Sequence, residues 1–225
     1  MKLSGIEVYI KTRMGDPERI KEFQVKTDVA TKTATCFIPS KEGQVSSVAL
    51  RCAHMRLANI LSFLCISKEF EICWKSELAN NLSFRSYIDG RAMGRSSCCP
   101  FRHGSRWGIR SSPTTRLPFK FANVVLSDDD SLMTDGSGLQ NIGTIVVEVG
   151  RIIHAEGKLG TNFVLPGEIG PVHEKTKKAG SHCVMFGETV PCPNHARTSS
   201  RPLNPGEGIW AKFIFQYRPR GSGYY

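Results

Sequence analysis

The residues best suited to chemistry lie in one polar run, His173-Glu174-Lys175-Thr176-Lys177-Lys178-Ala179-Gly180-Ser181-His182. The ammonium groups of Lys175, Lys177 and Lys178, beside backbone donors near Gly180, suit a phosphate or a carboxylate, with His173 and His182 at the two ends. The plainer reading is a solvated loop ahead of a strand from Cys183 to Phe186. No Gly-x4-Gly-Lys-Ser/Thr pattern is present, and His173-Glu174 lacks the second histidine that a zinc peptidase places four residues on.

A second set of cations, Arg91, Arg95, Arg102, Arg106, Arg110, Arg116 and Lys120, runs without an acid between Asp89 and Asp128. Such a field attracts polyanions, and Phe101 and Trp107 are placed to stack bases. Against this, arginines on alternating strands are commonly the wet face of a sheet. Metal ligation has two candidate groups, His182, Cys183, Cys192 and His195, or Cys98, Cys99 and His103, but neither has the paired spacing that zinc favours. Asp128-Asp129-Asp130 with Asp135 has carboxylates for calcium without the glycine and terminal glutamate of an EF loop, so a turn explains it more simply. No nucleophile elbow occurs; Gly136-Ser137-Gly138 has the wrong spacing. No catalytic set, no cofactor and no metal are expected.

The elements that carry these residues have the period of strands. Ile6, Val8 and Ile10 alternate with polar neighbours, as do Phe23 and Val25, and Thr33 to Ile38 alternates up to Pro39. Phe70, Ile72 and Trp74 follow, then Phe84 to Ile88 ending in the hairpin pair Asp89-Gly90. Phe119 to Leu126, Ile142 to Ile153 and Ile209 to Tyr217 complete the set, with Ile145, Val147, Val149 and Ile152 available for a core. Eight or more short strands predict an all-β fold, an antiparallel β-sandwich. Ser131 to Asn141 and Gly157 to Gly180 are expected as long surface loops. Residues 1–217 are expected as one domain and 218–225 as a flexible tail.

With 225 residues, 40% hydrophobic and 22% charged, the chain is long enough for a core without staples, and its net charge of +10 is the compositional outlier. Glu7 and Gly5 interrupt the apolar run that a cleaved leader needs, so an intracellular protein, cytoplasmic or nuclear, is expected. The eight cysteines are then expected as thiols. Leu57 to Ile66 is too short to cross a bilayer and predicts no membrane contact.

The same stretch belongs to Val45 to Lys68, where strand alternation breaks in favour of a short apolar helix. Without it, Ile38 to Gln44 would lead into Glu69 to Trp74 as a hairpin, and Val45-Ser46 can be encoded by nucleotides that open many introns. Two readings stand side by side: a translated intron, and a genuine insertion that caps the sandwich.

Several segments resemble an uncharacterised fungal family known as domain of unknown function 7918. They are Cys36 to Ser40, Tyr87-Ile88-Asp89-Gly90, Arg116 to Phe121 followed by Asp128-Asp129-Asp130, Ile142 to Ile145, Val172 to His182 and Phe213 to Pro219. Apart from Val45 to Lys68 the resemblance covers nearly the whole chain. It implies a β-rich domain and brings no catalytic residues.

The expectation is a non-enzymatic interaction module with an unknown protein partner, contacted through the His173 to Ser181 loop and the Arg91 to Lys120 face. A nucleic-acid-binding protein is the second expectation, and a metal-dependent or hydrolytic enzyme assembled from distant residues the third.

Overall fold

A computed structural model describes residues 1–13, 17–40, 69–129, 140–158, 163–174, 182–194 and 198–219. Seventeen strands and no helix occur among them: β1 (Lys2–Leu3), β2 (Ile6–Thr12), β3 (Phe23–Asp28), β4 (Thr33–Ser40), β5 (Glu69–Ser76) and β6 (Asn81–Ile88). Then come β7 (Arg91–Cys98), β8 (His103–Arg106), β9 (Gly108–Arg110), β10 (Thr115–Asn123), β11 (Leu126–Ser127) and β12 (Thr144–Lys158). The chain finishes with β13 (Val172–His173), β14 (His182–Phe186), β15 (Val190–Pro191), β16 (Thr198–Pro202) and β17 (Ala211–Pro219). No helix among the described residues is long and apolar enough to cross a membrane.

The strands form two large sheets. The first runs β1-β2-β5-β10-β14, with β8 on β5 and with β9 and β15 on β10; the second runs β3-β4-β17-β12-β6-β7, with β16 on β12. A parallel pair, β11 with β13, stands apart. The all-β sandwich-like fold follows from alternation. Ile6, Val8, Ile10, Phe70, Ile72, Trp74, Phe119 and Phe121 from the first sheet meet Ala34, Cys36, Ile38, Phe84, Ile145, Val147, Val149, Phe213 and Phe215 from the second in one buried cluster. Trp74 stacks on Phe84 with ring centroids 4.6 Å apart, and Phe121 meets Tyr217 at 5.0 Å, so aromatic contacts join the two layers.

Several expectations change. The last strand enters the second sheet between β4 and β12, antiparallel to β12 but parallel to β4, so the sheet is mixed. Phe23 and Val25 do alternate with polar residues, yet β3 is an edge strand exposed on both faces, and Val25 is 50% exposed. Phe119 to Leu126 splits into β10 and β11, and β12 continues past Ile153 to pair Lys158 with Thr198. Arg218 and Pro219 pair with Pro39 and Ser40, which puts the start of the expected tail inside a strand. Ser40 and Glu69 end up in different sheets, so the junction around Val45 to Lys68 is a crossing between layers and not a hairpin. The expected helix there, residues 131–139 of one expected loop, and residues 220–225 lie outside the described residues.

Phe84→Ala is expected to cost about 3–5 kcal/mol in urea unfolding, through the cavity left under Trp74. Val25→Ala should change stability by no more than about 0.5 kcal/mol. A chain lacking Val45 to Lys68 is expected to keep the strand signature in circular dichroism, because four residues at roughly 3.3 Å each span the ~10 Å between packed sheets.

Candidate functional site

The expected Asp89-Gly90 hairpin is present, with φ of 51° and 77°, the paired positive values of a type I′ turn, so Ile88 faces Arg91. Asp89 does more than turn the chain. Its buried carboxylate accepts hydrogen bonds from Gly143 N at 2.8 Å and the Tyr217 hydroxyl at 2.5 Å through Oδ1, and from Val184 N at 2.8 Å through Oδ2. Its own amide donates to the Thr144 carbonyl at 2.9 Å. Thus β6, β12 and β17 of one sheet and β14 of the other converge on a single side chain.

The Arg91 guanidinium stands 3.7 Å from Asp89 Oδ2 and donates to the carbonyls of Val184 and Gly167. Burial outweighs these donors and pushes the Asp89 carboxyl above its ordinary value; burial and the Asp89 charge hold the Tyr217 phenol well above its own. The phenol therefore stays a donor.

The cations from Arg91 to Lys120 do not form one face. Arg91 belongs to the Asp89 network. Arg106 donates to the carbonyls of Met93 and Arg95 and to Ser96 Oγ, and Arg110 to those of Pro113 and Pro193. Arg95 and Arg102 are exposed, whereas Arg116 and Lys120 are half-buried. Arg95 is paired across β6 and β7 with Arg85, which the sequence reading did not single out. The two line a groove of about 290 Å³ on the outer face of the second sheet, with Ser83, Gly150, Arg151 and the 41% exposed Ile209. Glu148 also lines it, and is answered by Lys212 at 3.6 Å. Arg151 is held by the Glu207 carboxylate and lies 4.2 Å over the Trp210 ring. Arg85 donates a long 3.4 Å bond to the Tyr87 hydroxyl and faces Glu148 across β6 and β12, while Arg95 has no ion pair among the described residues.

The polar run resolves at its ends. His173 and His182 are both buried, and His182 Nδ1 lies 2.7 Å from Ser40 Oγ. The two histidines are therefore anchors in the fold instead of contact groups in a loop; Lys175, Lys177, Lys178 and Gly180 lie outside the described residues. The six described cysteines are free, and burial raises the thiols of Cys36 and Cys73 to about 12 and that of Cys183 to about 11, values at which a thiolate is scarce. Among the described residues no group of three or more His, Cys, Asp or Glu is placed to hold a metal. Asp128 and Asp129 are exposed, while Asp130, Asp135, the serine of Gly136-Ser137-Gly138 and His195 lie outside the described residues.

Fold and surface together define an all-β sandwich whose sheets are tied by a buried carboxylate and whose second sheet carries the Arg85 and Arg95 guanidinium groups on its outer face. The chain matches the family described as Domain of unknown function (DUF7918) over residues 5–222, and it belongs to that family. No curated protein and no solved structure matches it.

Asp89→Ala is expected to destabilise by about 3–5 kcal/mol, because it strips a charged partner from Arg91 and leaves buried donors unmet. Tyr217→Phe should cost about 1–3 kcal/mol. A carboxyl whose folded value is raised favours the folded state below its ordinary value of 3.8 and loses that contribution as pH rises through the folded value. The acid arm of the stability profile is accordingly shallower in the wild type than in Asp89→Asn, as chemical denaturation across pH 3–7 would measure.

Proposed function

We propose that this protein is a binding module for an acidic protein segment, which docks in the groove on the outer face of the second sheet. The observation that carries this reading is the Arg85 and Arg95 pair. Like charges directly opposite one another on adjacent strands repel; Glu148 of β12 stands opposite Arg85 on its other side and is shared with Lys212, so it is Arg95 that an incoming carboxylate chiefly satisfies. Ile209 and Gly150 supply an apolar rim and an open floor, since a Cβ added at Gly150 would meet nothing within 4 Å. Net charge of +10 raises the encounter rate with acidic partners.

The reading takes the protein as non-enzymatic and intracellular. The raised thiols support the first, because a nucleophilic cysteine needs a lowered value, and six free cysteines support the second. Nucleic-acid binding through the Arg91 to Lys120 run is the second reading. Trp107, flanked by guanidinium groups, favours it; the engagement of Arg91, Arg106 and Arg110 with backbone carbonyls weighs against it.

A glutamate-rich peptide is expected to bind the full chain with an affinity that falls as salt rises, and Arg85→Glu with Arg95→Glu should weaken it at least about tenfold. Equal affinity in the doubly substituted protein would contradict the proposal. Salt-sensitive retention of RNA or DNA on a filter, lost in neither arginine variant, would favour the second reading.

A further inference from the structure

β8 and β9 are one run of chain that changes partner. His103 to Arg106 pair with Ile72 to Lys75 of β5, whereas Gly108 to Arg110 pair with Arg116 to Pro118 of β10. Trp107 lies between the two pairings, where β5 and β10 diverge, and its carbonyl accepts from Phe119 N at 3.1 Å. Gly108 is obligatory there, since a Cβ would come within 2.2 Å of the Leu117 carbonyl oxygen.

Three guanidinium groups gather at this fork. The Arg13 and Arg116 carbons lie 3.7 Å and 4.5 Å from the Trp107 ring centroid, and Arg110 is the cross-strand partner of Arg116. Arg13 is answered by Glu69 at 2.7 Å, and Arg110 by the Pro113 and Pro193 carbonyls. Arg116 has no hydrogen bond or carboxylate among the described residues, and its Nε is buried without a partner. Burial, with Arg110 and Arg13 adding to it, pushes this guanidinium below its ordinary value. Among the described residues, three positive charges against the carboxylate of Glu69 leave a surplus of two. A half-buried cation held with no counter-charge is costly to maintain unless an anion completes it.

We infer that the Trp107 fork is a phosphate site, in which the planar Arg116 guanidinium grips a phosphate dianion beside Arg110. A dianion matches the surplus charge, and the guanidinium fork suits two phosphate oxygens at once. The site lies on the first sheet and the groove of Arg85 and Arg95 on the second, and the inference does not rest on the acidic-segment reading.

The test uses the full chain with inorganic phosphate at constant ionic strength, with methyl phosphate as a parallel arm that separates the free ion from an ester. Phosphate in excess is expected to raise the melting temperature by about 2–4 °C over matched chloride. It should also change tryptophan emission, with Trp107→Phe removing that change. Arg116→Met should abolish both responses, and Arg116→Lys, which keeps the charge but not the fork, should weaken binding at least about tenfold. Arg85→Gln with Arg95→Gln should leave them intact. No shift over chloride, or an equal shift in Arg116→Met, overturns the inference.

Discussion

The fold depends on one carboxylate held out of water. Asp89 sits in the tightest turn of the second sheet and takes donors from the entry to β12, from Tyr217 on the last strand and from Val184 on the opposite sheet. Hydrogen bonds to a charged group contribute roughly 1.5–3 kcal/mol each, and removing a carboxylate from water costs several. The raised Asp89 value says that the desolvation side prevails. The network is then better understood as fixing one arrangement of strands than as adding net stability. An alternative register of the parallel β4–β17 pair would move Tyr217 away from the carboxylate and leave a buried charge with one donor fewer.

This constraint separates the basic residues into two populations. Arg91 closes the Asp89 network, Arg106 ties β8 to β7, and Arg110 closes the turn at Pro113 against Pro193. Those guanidinium groups substitute for missing backbone donors at places where strands fork or bend. Arg85, Arg95 and Arg116 have no such duty, and each stands opposite another cation, although Arg85 also faces Glu148 on its other side. A rigid sheet holds these charges at fixed separation, which is what preorganises a surface for an anion.

Alternation exposed most of the architecture because the two inner faces are made of side chains at every second position, as in β2, β12 and β17. It misled at β3, an edge strand where Phe23 and Val25 alternate as core residues do but Val25 stands exposed. Alternation also carries no information on partner order, so the parallel placement of β17 and the separation of Ser40 from Glu69 were illegible. The burial of His173 and His182 was hidden because a polar run looks the same whether its ends face water or core. Asp89 was legible as a turn residue, but its role depends on groups 54 to 128 positions away, which no local pattern reports. Arg85 and Arg95 became a pair only through register.

Native-state hydrogen exchange tests the role of Asp89 most directly. If the carboxylate locks the sheets together, the amides of Gly143 and Val184 exchange only through global unfolding, at the same free energy as the central amides of β12. Exchange of those two amides many-fold faster than the β12 core, at unchanged global stability, would contradict the account.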